Sequence, residues 1–181
     1  FTNCHAYGDV EGNWSIGGFA GVLFWRISAT NCAAHGNVTA HDWNAGGFAG
    51  FIQGTVDNDG VSATLTNCSA YGDVTSELGG GLARAGGFAG TLWDEPITIE
   101  NSHAAGKVST PDNSSTGGFI GYLNCTPDNG TLKDCSYNMA DNEGLDAIGD
   151  AQNPNPTTIV PTTPDKARDN ACKATYGGHN P

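Results

Sequence analysis

Two short motifs alternate along this chain in strict order, which limits it to folds built by repetition. The first is Gly-Gly-Phe-Ala/Ile-Gly, at 17–21, 46–50, 86–90 and 117–121. The second is Thr-Asn-Cys-x-Ala-x-Gly-x-Val, starting at Thr2, Thr30 and Thr66, with a variant at Glu100 and a decayed copy at Lys133. The phenylalanines fall at Phe19, Phe48, Phe88 and Phe119, in steps of 29, 40 and 31 residues. Each motif has a period of two, the signature of a strand with one buried face. Phe19, Gly21 and Leu23 share a face, repeated by Phe48, Gly50 and Ile52 and by the two later copies. Cys4, Ala6, Gly8 and Val10 form the corresponding set in the second motif.

A unit of this length cannot bury an apolar face alone, so the units must stack and share a core. The expected fold is all-β, a parallel β-solenoid of about four to five coils with columns of Phe, Leu/Ile and Val inside. An antiparallel sandwich or a propeller has the same alternation, but propeller blades usually need four strands and this unit supplies two or three. The repeat occupies residues 1–150. Beyond it, 151–181 reads as an extended Pro/Thr-rich tail, because 153–164 is Asn-Pro-Asn-Pro-Thr-Thr-Ile-Val-Pro-Thr-Thr-Pro.

Composition narrows the function. A formal charge of −12 argues against nucleic acid, which is bound by Lys and Arg neutralising phosphates. The most apolar run, 17–27, is too short to span a bilayer and contains Arg26, so no membrane insertion is expected. Six cysteines, an even number, and six Asn-X-Ser/Thr sequons point to an extracellular or cell-surface setting. The sequons are at Asn13, Asn37, Asn67, Asn113, Asn124 and Asn129, and Thr157, Thr158, Thr162 and Thr163 are candidates for O-linked sugar. The chain opens at Phe1 inside a repeat, which reads as a processed chain or a piece of a longer one; protomers stacking end to end into a filament is the companion expectation.

The alternation of Gly-Gly-Phe-x-Gly with Asn-Cys/Ser-x-Ala-x-Gly-x-Val over 1–137 resembles the GLUG-motif repeats of bacterial surface proteins. Those include adhesin-like proteins and some secreted immunoglobulin-A-cleaving peptidases. The resemblance is clearest from Ile99 to Gly121, with Phe here where the family tends to have Leu and Cys where it tends to have Ser. It implies an extracellular repeat region and carries no catalytic residue across.

Candidate sites are few. Cys4, Cys32, Cys68 and Cys135 occupy one repeat slot that Ser102 also fills, so they form either a column of small buried side chains or disulfides between neighbouring coils. Cys125 and Cys172 lie off that column, and no Cys-x-x-Cys pair exists to hold zinc. Asp57-Asn58-Asp59-Gly60 is oxygen-rich but reads as a turn, and Asp128-Asn129-Gly130 as a hairpin turn. No metal or other cofactor is expected. On the variable face Tyr7, His35 and Tyr71 share a column, readable as a self-stacked ladder or as a platform for sugar rings. Asp9, Asn37, Asp73 and Lys107 share another, while Asp94, Glu95 and Glu100 cluster near one turn. Paired outward carboxylates are what a sugar-cleaving solenoid would need, yet no copy combines an acid, a base and a third group, so no enzyme is expected. Trp14, Trp25, Trp43 and Trp93 fall near strand ends or turns. The leading expectation is an extracellular structural repeat of a fibre or adhesin, glycosylated. A carbohydrate-binding module using the Tyr/His column is the alternative, and a glycan-cleaving enzyme the third.

Overall fold

The computed structural model describes residues 1–54, 63–79, 81–93, 97–112, 115–124, 130–151 and 159–162, the last four by backbone alone. Asp57–Gly60, Asp94, Glu95, Asn113, Cys125, Asp128, Asn129, Thr157, Thr158, Thr163 and Cys172 lie outside the described residues.

Every pairing between the described strands is parallel and joins equivalent residues of successive repeats, which excludes the sandwich and the propeller. The chain is a parallel β-solenoid whose coils contribute in turn to five sheets. Sheet one is Ser28–Thr30, Ala63–Thr66, Ile97–Glu100 and Gly130–Lys133. Sheet two is His5–Ala6, Ala33–Ala34, Ser69–Ala70, His103–Ala104, Cys135–Asn138 and Ile159–Thr162. Sheet three is Val10–Gly12, Val38–Ala40, Val74–Ser76 and Val108–Ser109; sheet four is Ser15–Gly17, Asn44–Gly46, Arg84–Gly86 and Thr116–Gly117. Sheet five is Ala20–Phe24, Ala49–Gln53, Ala89–Trp93, Ile120–Asn124 and Ile148–Ala151.

The phenylalanines stack along the axis as the repeat predicts. Ring centroids are 4.6 Å apart for Phe19–Phe48, 5.0 Å for Phe48–Phe88 and 4.9 Å for Phe88–Phe119, with the planes within 12° of parallel. Phe48, Phe88 and Phe119 are fully buried, each adding roughly 1.5 to 3 kcal/mol of burial free energy. Beside them run Leu23, Ile52, Leu92 and Leu123, with Leu65, Ile97, Ile99 and Leu132 of sheet one closing the same core. Gly47 and Gly87 lie against Ala70 and Ala104, where a Cβ would approach the alanine methyl to 2.8 and 2.9 Å.

The second motif differs from expectation: it is two strands meeting at a corner, not one. The strands of sheets two and three are separate in every copy, with Gly8, Gly36, Gly72 and Gly106 between them; of these Gly8 alone has a positive φ, 104°. The chain therefore turns after the Ala column, and the valines enter a separate, smaller core with Ala40, Ala45 and Ala85. The Asn of the motif forms the preceding corner. Asn3, Asn31, Asn67 and Asn101 all have φ between 48° and 55°, and Asp134 takes that place in the decayed copy with φ 52°. Asn and Asp tolerate this left-handed backbone better than other side-chain-bearing residues. Their amides also form an axial ladder, Asn31 Nδ2 donating to Asn3 Oδ1 and Asn67 Nδ2 to Asn31 Oδ1, each at 3.1 Å.

The two ends of the solenoid differ. In the fifth coil Tyr137 stands in register with Ala104; its ring fills the space over Gly118, and its hydroxyl donates to the Leu145 carbonyl at 2.9 Å. Asn142 substitutes for a further backbone rung, accepting from Val108 N at 2.8 Å and donating to the Gly106 carbonyl at 3.0 Å. Asn138 donates likewise to the Ala105 carbonyl. At the opposite end the first-coil strands are edge strands, and Phe1 and Tyr7 are exposed. Ile159–Thr162, within the segment read as an extended tail, is extended backbone that pairs with Cys135–Asn138; as an edge strand it accommodates Pro161.

Candidate functional site

A parallel solenoid places each repeat position in a column on its surface, so candidate sites are columns that span several coils. The Tyr7, His35 and Tyr71 column forms on the outside of sheet two. Tyr7 and His35 are 4.5 Å apart at 9°, and His35 and Tyr71 4.8 Å apart at 7°. His5 joins by ring contact with Tyr7 and by a 3.3 Å approach of its Nδ1 to His35 Nε2. Burial, and secondarily the neighbouring His5, holds the His35 pKa below the usual histidine value. At these separations both faces of His35 are covered by the tyrosines. The column is self-stacked at its centre, with Tyr7 exposed at its end.

The acidic column has a structural use. Asp9 Oδ1 accepts from Asn37 N at 2.8 Å, Asn37 Oδ1 from Asp73 N at 2.9 Å, and Asp73 Oδ1 from Lys107 N at 2.8 Å. Each outward side chain thus satisfies a corner N–H of the next coil, which strands of two or three residues cannot do by ladder pairing. The carboxylates of Asp9 and Asp73 lie two coils apart, with Asn37 between them, and each clamps its coil to the next. Nearby, His41 is held between two acids, Nδ1 at 2.8 Å from Glu77 Oε2 and Nε2 at 3.0 Å from Glu11 Oε1. The hydrogen bond to Glu77 is the main cause of its raised pKa.

The cysteine slot has a physical explanation that the sequence did not give. The thiols of Cys4, Cys32, Cys68 and Cys135 are free in the structure, each donating to the carbonyl two residues earlier at 3.4 to 3.5 Å. Ser102 Oγ makes the same bond to Glu100 O at 3.0 Å. The slot needs a small side chain with one donor, which both residue types supply. Burial pushes the Cys68 and Cys135 thiols up to about 12 and raises that of Cys32. Beside the slot, His103 is buried; its Nδ1 lies 2.7 Å from Ser136 Oγ and its Nε2 has no partner among the described residues. Desolvation lowers its pKa to about 4.

Of the sequons, Asn13 and Asn37 are exposed, whereas Asn67 and Asn124 are half-buried, with the Asn67 amide nitrogen already engaged by Asn31. Thr162 lies in the edge strand of sheet two. Among the described residues no cluster of three His, Cys, Asp or Glu is placed to hold a metal ion, and no helix is long and apolar enough to cross a membrane. The sequence did not reveal where the tryptophans go. Trp14 and Trp43 stack at 6.4 Å and 12° on the surface, and Arg84 Cζ lies 6.0 Å from the Trp43 ring and 5.8 Å from the Trp93 ring. Trp25, with φ at 68°, packs at 5.4 Å on Phe24.

No family model matches the chain. Halomucin from Haloquadratum walsbyi is 34% identical to it over 138 residues, which is 74% of this chain, and the chain spans about 2% of the length of that relative. Among solved structures, an immunoglobulin A1 protease assignment, made provisionally for a Bacteroides ovatus protein, accompanies a chain that superposes with a TM-score of 0.63 over 94% of this one. It is 24% identical, and this chain covers 51% of it. The likeness to that structure is one of fold.

Proposed function

We propose that this chain is a non-catalytic structural module of an extracellular or cell-surface protein, glycosylated, and part of a longer GLUG-type repeat array that forms a fibre or adhesin. The observation that carries this reading is the use of the surface columns. Asp9, Asn37 and Asp73 are committed to coil-to-coil hydrogen bonds, and the Tyr7, His35 and Tyr71 rings to one another. Side chains that would carry chemistry on a catalytic solenoid here join one coil to the next. The similarity to a segment of halomucin, a far longer protein, supports a part played within an extended chain.

The unequal ends support a direction for assembly. Tyr137, Asn138 and Asn142 cover part of the fifth coil, where Ile159–Thr162 also pairs with Cys135–Asn138, while the first-coil strands are edge strands. Copies of the chain stack end to end at the first-coil edge. Electron microscopy of the native full-length protein tests this. The expected image is a rod lengthening by ~4.8 Å per coil. Compact particles without rods, or release of reducing sugar from a glycan that is lost in Asp73→Asn, would overturn it.

A further inference from the structure

Sheets four and five meet back to back on the outside of the solenoid. A Cβ on Gly50 would lie 2.5 Å from Ile16 N, one on Gly90 2.9 Å from Ala45 N, and one on Gly121 2.6 Å from Ala85 N. No side chain separates the sheets along that line, so their outward residues diverge from it as the two walls of a cleft. Thr91 Oγ1 donates across the cleft to Asn44 Oδ1 at 2.7 Å, and Asn44 Nδ2 continues to Ser15 Oγ at 3.0 Å.

Arg84 stands in this cleft in register with Asn44. Its Cζ lies 4.1 Å from the centroid of Tyr122, 5.8 Å from that of Trp93 and 6.0 Å from that of Trp43. Three rings contact the guanidinium, and no described carboxylate pairs with it, in a chain with 19 acids against 7 Lys and Arg. A guanidinium that meets rings with its face keeps its N–H donors in the plane of the group. A guanidinium held by rings and paired with no carboxylate among the described residues is suited to a carboxylate, which it can take with two parallel hydrogen bonds.

The rings at the rim specify the remainder of the ligand. Trp14 is 73% exposed and Trp43 48%. Their centroids are 6.4 Å apart, whereas the coils are ~4.8 Å apart, so the indoles are offset by roughly 4 Å and part of each face is uncovered. By contrast, both faces of His35 in the Tyr7 column are covered by tyrosines. The relay through Thr91 and Asn44 is buried and holds the two sheets together, while flat indole surface beside a guanidinium complements a sugar ring that carries an acid group.

We propose that the cleft between sheets four and five binds a uronate residue of an acidic saccharide, with Arg84 receiving the carboxylate and Trp43 and Trp14 stacking on the ring. This stands independently of the structural role above, since neither the fibre nor the capped end requires it.

The test is titration of the wild-type chain with digalacturonate, followed by the Trp43 indole and Arg84 guanidinium N–H resonances and by tryptophan fluorescence. Digalacturonate should shift both resonances at millimolar concentration. Its uncharged dimethyl ester should bind roughly tenfold or more weakly, as should Arg84→Gln, and Trp43→Ala should weaken binding without altering the preference for the acid over the ester. No shift of either resonance in the wild-type chain would overturn the proposal, and that result does not depend on any variant folding. Equal binding of acid and ester would also overturn it, as would equal binding of N-acetyl-Glu-Glu-amide, which would make the site a receptor for acidic peptides.

Discussion

The spacing between coils is set at the glycine of the second motif, and substitution there tests the stacking with numbers taken from the structure. A Cβ on Gly72 would lie 1.9 Å from the Gly36 carbonyl oxygen, 2.4 Å from its carbon and 2.8 Å from Asn37 N, all backbone atoms. Ordinary contact begins near 3.4 Å, so Gly72→Ala must separate the coils locally by ~1.5 Å. Three hydrogen bonds cross at that point: Tyr71 N to Ala34 O at 2.9 Å, Val38 N to Asp73 O at 2.8 Å and Asp73 N to Asn37 Oδ1 at 2.9 Å. Stretched by that amount they no longer form, and at about 1 kcal/mol net for each the loss is about 3 kcal/mol. In a chain of this size that lowers the melting temperature by roughly 6 to 12 °C. Gly79→Ala is the control, because its nearest atom would be Pro111 Cβ at 3.9 Å; it should be within about 0.5 kcal/mol of wild type. Thermal unfolding followed by circular dichroism measures both. If Gly72→Ala and Gly79→Ala melt together, the coils do not touch at these glycines and the reasoning fails.

Further outcomes follow from the interior. Phe48→Ala removes a ring stacked between two others and should cost about 3 to 5 kcal/mol by urea unfolding; an unchanged midpoint would refute the column. His103 is neutral in the folded chain down to about pH 4, whereas the unfolded chain takes up a proton near 6.5. Its depressed folded pKa means that stability is full above 6.5 and is lost as pH falls toward 4, a difference of about 3 kcal/mol. His103→Ser, which installs the residue found in register at Ser69, should flatten that part of the stability–pH curve, and an unaltered slope would count against the buried neutral imidazole. Alkylation at pH 8 mapped by mass spectrometry should modify partly exposed Cys4 well before Cys68 and Cys135, whose pKa values near 12 leave little thiolate; equal rates would contradict their burial.

The Phe and Leu/Ile columns were legible because the repeat displays them in the same phase four times, and alternation with a fixed partner admits few packings. The second core was not. Period-two spacing continues across Gly8, so a corner there looks like one long strand until the backbone angle is known. The invariant Asn of the motif was a signal for the other corner, since its recurrence beside a turn fits left-handed backbone, as Asp134 in the decayed copy also shows. The fifth turn of sheet five was concealed by the replacement of Phe with Ala147, although Ile148-Gly149 retains the older pattern and its strand pairs with Ile120–Asn124. The Asp9, Asn37 and Asp73 column was found correctly as a column, while its role required knowing which N–H lies opposite. The Arg84 cleft draws on positions 14, 43, 84, 93 and 122, which share no motif, and only the stacking of coils brings them together.

The stacking itself is most directly measured by nuclear Overhauser contacts among selectively labelled phenylalanine rings in solution. With centroids 4.6 to 5.0 Å apart, Phe48 should show cross-peaks to Phe19 and Phe88, and Phe88 to Phe48 and Phe119, with none between Phe19 and Phe88. Rings that show no contact with one another, or that pair out of this order, would contradict the solenoid.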